Sequence, residues 1–128
     1  MNRIVLDSSA VLAMVYSEPG GERVHAAIVS SSSISMSAVN WSEVLAKLSQ
    51  KSPIITPEKL SAILPGVEVV PFGKEEAVQA ANLAKICPSI SLGDRACLAL
   101  ARFLDAPAWT TDRIWARIPV AAKLEMLR

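Results

Sequence analysis

The chain has 128 residues, a length that fits one domain, and its 52% hydrophobic and 20% charged residues exclude extended disorder. A core of this size folds without a disulfide or a structural metal, and with only 5% aromatic residues it must consist mainly of small aliphatic side chains. The net charge of +1 by itself gives no indication of a nucleic-acid partner.

In chain order, short apolar segments alternate with segments in which apolar residues recur every three or four positions. The former pattern predicts strands and the latter predicts helices, with Gly, Pro and Ser at the breaks. The predicted elements are strand Arg3–Asp7, helices Ser9–Ser17 and Glu22–Ser30, strand Ile34–Ser37, helices Ala38–Lys51 and Thr56–Leu64, strand Val67–Phe72, helices Lys74–Cys87 and Ser91–Asp105, strand Ala108–Thr111, a helical turn at Arg113–Arg117, and edge strand Lys123–Leu127.

Short strands separated by helices of about 10 to 15 residues predict an α/β fold, because each crossover must return over the sheet. We expect three layers, with a central, mainly parallel sheet of four or five short strands flanked by helices. No internal repeat, low-complexity tail or linker divides the chain, so residues 1–128 are expected to form a single domain.

Several kinds of site are excluded by what the sequence lacks. Cys87 and Cys97 have neither CxxC spacing nor a nearby histidine, which argues against a zinc cage and predicts reduced thiols in a cytoplasmic protein. A single histidine, His25, excludes mechanisms that need two imidazoles. Neither GxxxxGK nor GxGxxG occurs, so no nucleotide cofactor is expected. Asp7 interrupts the apolar amino end before a secretory signal is complete, and no apolar run approaches the ~18 residues of a membrane span.

Four acidic residues fall where this fold would bring them together. Open parallel sheets bind ligands beyond the carboxyl ends of their strands, and Asp7 and Asp112 each stand at the end of a predicted strand. Asp94 lies in the first turn of a helix, 18 positions before Asp112, so one helix and one strand return the chain to the same edge. Glu43 lies on the helix after the second strand and points away from the apolar stripe of that helix.

Each acid also has a purely structural interpretation, which is the simpler one for any residue taken alone. Asp7 and Asp112 could cap helices, Ser91 and Asp94 fit a capping box, and Glu43 is explained as a solvated helix residue. The argument for function is convergence. Four carboxylates ~5 Å apart would repel by on the order of 3 kcal/mol per pair, a cost that a divalent cation offsets and capping does not.

Oxygen ligands without His or Cys suit Mg²⁺ or Mn²⁺ rather than zinc. Such an ion attracts phosphates and can supply a hydroxide near neutral pH. Removing the four acids from the 12 acidic residues leaves 8 against 13 basic ones, which favours a polyanionic partner. Arg95 and Arg113 each follow an acid at a helix start, where the helix dipole disfavours positive charge, so phosphate contact and ordinary solvation are the alternatives for them.

Four segments, in this order and spacing, resemble PIN-domain nucleases, and with the chain length they resemble the VapC toxins of bacterial toxin-antitoxin pairs. The resemblance extends over nearly the whole chain. The segments are Val5–Ala10, Asn40–Val44, Ser91–Ala101 and Thr110–Arg113.

The resemblance implies a Mg²⁺- or Mn²⁺-dependent endoribonuclease that hydrolyses RNA with a metal-activated water. In this chain Asp7 and Asp94 would be the most direct metal ligands, Asp112 would bind through water, and Glu43 would hold a second ion or position the attacking water. The resemblance also implies a homodimer and a cognate antitoxin whose carboxy-terminal segment covers the acids. The alternative function is a catalytically silent PIN-like module that binds a protein partner.

Three further residues near these segments have open roles. Ser8 and Thr110 carry hydroxyls that could support a metal ligand or contact a phosphate, although an ordinary cap or strand-end hydrogen bond is the simpler interpretation. Trp115, between Arg113 and Arg117, is a candidate for stacking on a base, with a core position as the alternative.

Overall fold

The computed structural model describes residues 3–30, 32–52, 54–119 and 122–128, in which pairs of α-helices, six in all, connect the first four of five short strands. Every predicted element is confirmed, with its ends within two residues of the predicted ones. The elements are β1 (Arg3–Leu6), α1 (Ser8–Val15), α2 (Gly21–Val29), β2 (Ser33–Ser37), α3 (Ala38–Lys51), α4 (Pro57–Ile63), β3 (Val67–Val70), α5 (Lys74–Ile86), α6 (Leu92–Leu104), β4 (Ala108–Thr110), a 3₁₀ helix (Arg113–Arg117) and β5 (Leu124–Met126).

The five strands form one sheet in the order β3-β2-β1-β4-β5, and all neighbouring strands are parallel. This confirms the predicted α/β class and the strand number. Central β1 pairs through Val5 with Ser35 of β2 on one side and with Ala108 of β4 on the other. From β1 the chain continues outward to β2 and β3, and then crosses to β4 and β5 on the opposite side.

Helices cover both faces of the sheet, as the alternation of side chains along β1 indicates. Ile4 and Leu6 lie in a cluster with residues of α1 to α4, whereas Val5 packs with residues of α5 and α6. Fully buried Trp115 belongs to the second cluster, so the proposal that it stacks on a base is wrong. None of the helices in the described ranges has the length and apolar character of a membrane span.

Helices α1 and α2 approach so closely that the chain needs glycine where α2 begins. A Cβ built on Gly21 would lie 2.4 Å from the main-chain oxygen of Ala13 and 2.8 Å from the Cα of Met14. Both are main-chain atoms, which cannot move aside as a flexible side chain does. A larger residue at position 21 must therefore separate the two helices.

We expect Gly21→Ala to lower the free energy of unfolding by about 1–3 kcal/mol, because the added methyl group overpacks the helix contact. The measurement is urea unfolding followed by circular dichroism. The matched control is Gly73→Ala, whose Cβ would meet only the flexible carboxylate of Glu76, at 3.1 Å. Equal losses in the two variants would contradict the packing argument.

Candidate functional site

The carboxyl ends of β1 and β4 meet at the point where the strand order of the sheet changes direction. The two strands are parallel neighbours; Asp7 follows β1 directly, and Asp112 comes two residues after β4. A crevice at such a point is where open parallel sheets bind ligands. The fold therefore places two of the predicted acids side by side at the expected edge.

Two hydroxyl groups hold the carboxylate of Asp7, which is only 3% exposed. Ser9 Oγ donates to Asp7 Oδ2 at 2.7 Å, and Thr110 Oγ1 donates to the same oxygen at 3.0 Å. Asp7 occupies the N-cap position of α1, but its side chain makes no capping hydrogen bond there. The capping interpretation is therefore wrong for this residue, and its carboxylate is held across the sheet edge instead.

Burial raises the pKa of Asp7 from 3.8 to about 6, because the low-dielectric surroundings disfavour the charged form. The hydrogen bonds from Ser9 and Thr110 lower this pKa, and the negative charge of Asp94 raises it further. Within residues 3–30, 32–52, 54–119 and 122–128, no ion pair involves any of the four predicted acids. Asp7 is thus a desolvated carboxylate near other acids without a basic partner.

Asp94 and Asp112 are partly exposed, and both make the main-chain hydrogen bonds that capping predicts. Ser91 Oγ accepts from Asp94 N at 3.1 Å, while Asp94 Oδ2 accepts from Ser91 N at 3.3 Å, which completes a capping box on α6. Asp112 Oδ1 accepts from Ile114 N at 3.0 Å and caps the 3₁₀ helix. The capping interpretation is confirmed for both residues, but each bond leaves one carboxylate oxygen outside the cap.

Capping does not separate these carboxylates from one another. Burial raises the pKa of Asp94, and the charges of Asp112 and Glu43 raise it further. The pKa of the fully buried Cys97 thiol is also raised, mainly by burial and then by the charges of Asp7, Asp94 and Glu43. All four acids are thus linked electrostatically, and the Cys97 thiol, which these shifts keep neutral, adds no negative charge.

Glu43 lies on α3, and although its side chain is exposed to solvent, its carboxylate contacts two other residues. Its carboxylate lies where a side chain of Gly93 would begin: a Cβ on that glycine would be 2.3 Å from Oε2 and 2.5 Å from Oε1. Asn40 Nδ2 also donates to Glu43 Oε1 at 3.0 Å. Because Gly93 directly precedes Asp94, these contacts hold Glu43 next to the start of α6.

The residues predicted to contact substrate have different positions. Arg95 Nη1 donates to the main-chain oxygen of Ala80 on α5, at 3.1 Å, and Arg113 Nε donates to the main-chain oxygen of Arg128, also at 3.1 Å. Both guanidinium groups are therefore engaged by other segments and do not pair with the four acids. Thr110 is fully buried, and its hydroxyl donates to Asp7 Oδ2 at 3.0 Å; the phosphate contact predicted for it stays a prediction. Its hydroxyl orients Asp7.

Ser8 is half-buried and begins α1 directly after Asp7, so it lies at the predicted edge. Two other polar residues of the site have no role in the sequence prediction. Ser9 holds Asp7 and accepts from Thr111 N at 3.1 Å, and Asn40 holds Glu43. The signal for Asn40 is its spacing of three residues from Glu43, which places both on one helix face.

The chemistry of the group fits Mg²⁺ or Mn²⁺, because all of the acidic ligand atoms are oxygens and no basic side chain among the described residues pairs with them. In the part of the chain that the structure describes, however, no three His, Cys, Asp or Glu side chains are arranged so that they could hold a metal ion. The carboxylates would have to close around a cation. Asp94, Asp112 and Glu43 are partly or fully exposed, which leaves them room to do so.

Comparison with known proteins identifies the same fold in several solved structures. A toxin-antitoxin complex from Klebsiella pneumoniae aligns with a TM-score of 0.76 and 15% identity, over 98% of each chain. VapBC2 from Rickettsia felis, bound to a fragment of promoter DNA, aligns at 0.75 and 18%, over 97% of this chain and 98% of that one. VapC20 from Mycobacterium tuberculosis, described as a toxin that cleaves the sarcin-ricin loop, aligns at 0.71 and 16%, over 89% and 93%.

At these identities the solved structures establish the fold alone. No curated protein matches the chain significantly. A family model described as PIN domain matches residues 4–121, which is most of the sequence and includes all four acids. The chain therefore belongs to the PIN domain family.

Proposed function

We propose that this chain is a metal-dependent endoribonuclease, the toxin of a toxin-antitoxin pair, and that it works in the cytoplasm. The observation that carries the proposal is that Asp7, Glu43, Asp94 and Asp112 lie near enough for their charges to interact through Asp94, and that none of them pairs with a basic side chain among the described residues. These acids come from four separate segments, which the fold brings to one edge of the sheet. Such a group is suited to a hard divalent cation and a phosphate.

In this proposal Asp7 and Asp94 hold Mg²⁺ or Mn²⁺ directly, and Asp112 does so through water. Glu43 holds a second ion or orients the attacking water. When bound, the ion would neutralise the acids, attract an RNA phosphate and lower the pKa of a water. The protein itself contributes orientation, since the hydroxyls of Ser9 and Thr110 fix the direction of the Asp7 carboxylate.

The comparisons support the substrate and partner of this proposal. The Mycobacterium tuberculosis relative is described as cleaving the sarcin-ricin loop, which supports RNA as the substrate. The Klebsiella pneumoniae relative was solved as a toxin-antitoxin complex, which supports a cognate antitoxin. We propose that this chain likewise cleaves RNA and binds a cognate antitoxin, one segment of which covers the acids. We also propose that the chain forms a homodimer.

One observation favours a second candidate, a catalytically silent PIN-like module that binds a protein partner. In the described part of the chain, no three potential ligands are already arranged around a metal position. A chain that retained the fold for binding alone would have no need of such an arrangement. Metal binding therefore separates the two candidates.

We expect the free energy of unfolding of metal-free Asp7→Asn to exceed that of wild type by on the order of 3 kcal/mol at pH 8, because the substitution removes a buried charge. The folded protein holds the Asp7 proton more tightly than the unfolded chain, with a pKa of about 6 instead of 3.8. The free energy of unfolding of wild type therefore falls relative to that of the variant as the pH rises from 4 through 6 and Asp7 becomes charged. The variant's advantage should be near zero at pH 4 and full above pH 7, as measured by urea unfolding in EDTA. An advantage that does not change with pH would show that the buried charge of Asp7 is not its cause.

We expect Asp7→Asn and Asp94→Asn to reduce Mn²⁺-dependent cleavage of RNA by roughly 100-fold or more, because each removes a charged ligand. The measurement is gel analysis of purified RNA incubated with EDTA-treated protein before and after Mn²⁺ is added. The control is Asp105→Asn, an exposed acid that pairs with Lys123 and should retain full activity. Unchanged cleavage in both site variants would refute the nuclease proposal. A folded wild-type protein that binds no Mn²⁺ in calorimetry would favour the silent module.

A further inference from the structure

One buried amide joins α3 to the start of α6. Asn40 is fully buried, and its Nδ2 donates both to Glu43 Oε1 and to the main-chain oxygen of Gly93, each at 3.0 Å. Gly93 directly precedes Asp94. A single side chain therefore connects the carboxylate of Glu43 with the main chain that carries Asp94.

The surroundings of Asn40 determine which way its amide points. The reverse orientation would direct the amide oxygen at two acceptors, Glu43 Oε1 and the oxygen of Gly93, and neither would receive a hydrogen bond from Asn40. In the observed orientation the Oδ1 atom is buried without a hydrogen-bond partner among the described residues. An unpaired buried acceptor is unfavourable for folding. The observed orientation thus makes the two hydrogen bonds that Nδ2 donates and leaves Oδ1 without one.

Asparagine is also not the residue that helix packing alone would favour at position 40. The other buried residues of α3 are Val44 and Leu48, one and two turns further along the same face. An apolar side chain at position 40 would continue this stripe without burying a polar group. The amide is therefore explained by what it binds and not by the packing of the helix.

Gly93 provides the space in which the Glu43 carboxylate lies. Its absent Cβ would overlap both Glu43 oxygens, at 2.3 and 2.5 Å. Gly93 is the second residue of α6, where alanine would favour the helix more than glycine does. A residue that weakens the helix but makes room for an acid is expected where the position of that acid matters.

We propose that Asn40 and Gly93 are positioning residues, which together hold the Glu43 carboxylate beside Asp94, where it contributes to binding of the cation. Asn40 binds one carboxylate oxygen, and Gly93 leaves the room that the carboxylate occupies. The inference rests on the nuclease function proposed above, because it assigns the two residues to the metal-binding acids. Residues that orient metal ligands commonly change metal affinity or activity by about 10- to 100-fold when they are replaced.

The first test is a double-mutant cycle between Asn40 and Glu43. We expect Asn40→Ala to raise the Kd for Mn²⁺, measured by calorimetry on the metal-stripped full chain, by about tenfold or more. In a Glu43→Ala background the same substitution should leave the Kd unchanged, because no carboxylate remains to be positioned. An exposed asparagine of α5 gives the matched control, Asn82→Ala, which should bind Mn²⁺ as wild type does. An equal effect of Asn40→Ala in both backgrounds would overturn the proposal, since it would indicate a general effect on the fold.

The second test uses Gly93→Ala, which decides the question if Asn40→Ala does not fold. The atoms that the new methyl group would meet are the terminal carboxylate atoms of the exposed Glu43 side chain, which can move away from it, so the variant should unfold at the wild-type temperature or above. Its Kd for Mn²⁺ should nevertheless rise by about tenfold, again only while Glu43 is present. Gly73→Ala, at the N-cap of α5, is the control for a glycine replaced at a helix start.

The outcomes separate this inference from the proposed function. A wild-type chain that binds no Mn²⁺ and cleaves no RNA would refute both. A wild-type chain that binds Mn²⁺ and cleaves RNA, together with Asn40 and Gly93 variants whose Kd and cleavage are unchanged, would refute the inference alone. Weakened Mn²⁺ binding in a Gly93→Ala protein of undiminished stability would support the inference, because a loss of folding could not explain it.

Discussion

Repulsion among four carboxylates at one sheet edge is the constraint on which the site depends. Each acid receives hydrogen bonds from neutral groups: hydroxyls for Asp7, main-chain amides for Asp94 and Asp112, and a side-chain amide for Glu43. Neutral donors reduce the cost of desolvating a carboxylate, but they leave its charge in place. Capping and cation binding are therefore not competing explanations. The caps orient individual side chains, whereas the combined negative charge remains, and the proposed cation would neutralise it.

The periodicity of the sequence is sufficient to predict the fold, because nearly every boundary coincides with a residue of clear local preference. α3 begins after Ser37, whose side chain accepts from Val39 N, and its predicted bounds are those observed. The differences have local causes. β3 ends at Val70, two residues earlier than predicted, just before Pro71, which lacks the amide that a strand needs. α1 ends before Ser17, whose φ of 55° lies outside the helical region.

The site can be predicted only in part. The acids can be found because parallel strands bring their carboxyl ends together, so topology alone places Asp7 near Asp112. The contacts of Asn40 and Thr110 depend on how side chains point between residues that are 53 and 103 positions apart, which periodicity does not determine. The stacking prediction for Trp115 is wrong for a related reason. Its basic neighbours indicate an exposed turn, whereas the 3₁₀ helix directs the indole ring into the core.

Three positions near the acids hold residues that local stability would not select. Asp7 buries a charge, Asn40 buries an oxygen that has no hydrogen-bond partner in the described part of the chain, and Gly93 weakens the start of a helix. They lie on different elements, so no single packing requirement explains all three. What they share is the same group of carboxylates: Asp7 is a member of it, and Asn40 and Gly93 contact its member Glu43. Local preferences that are violated independently and around a common point indicate selection for the function of that point rather than for the stability of the fold.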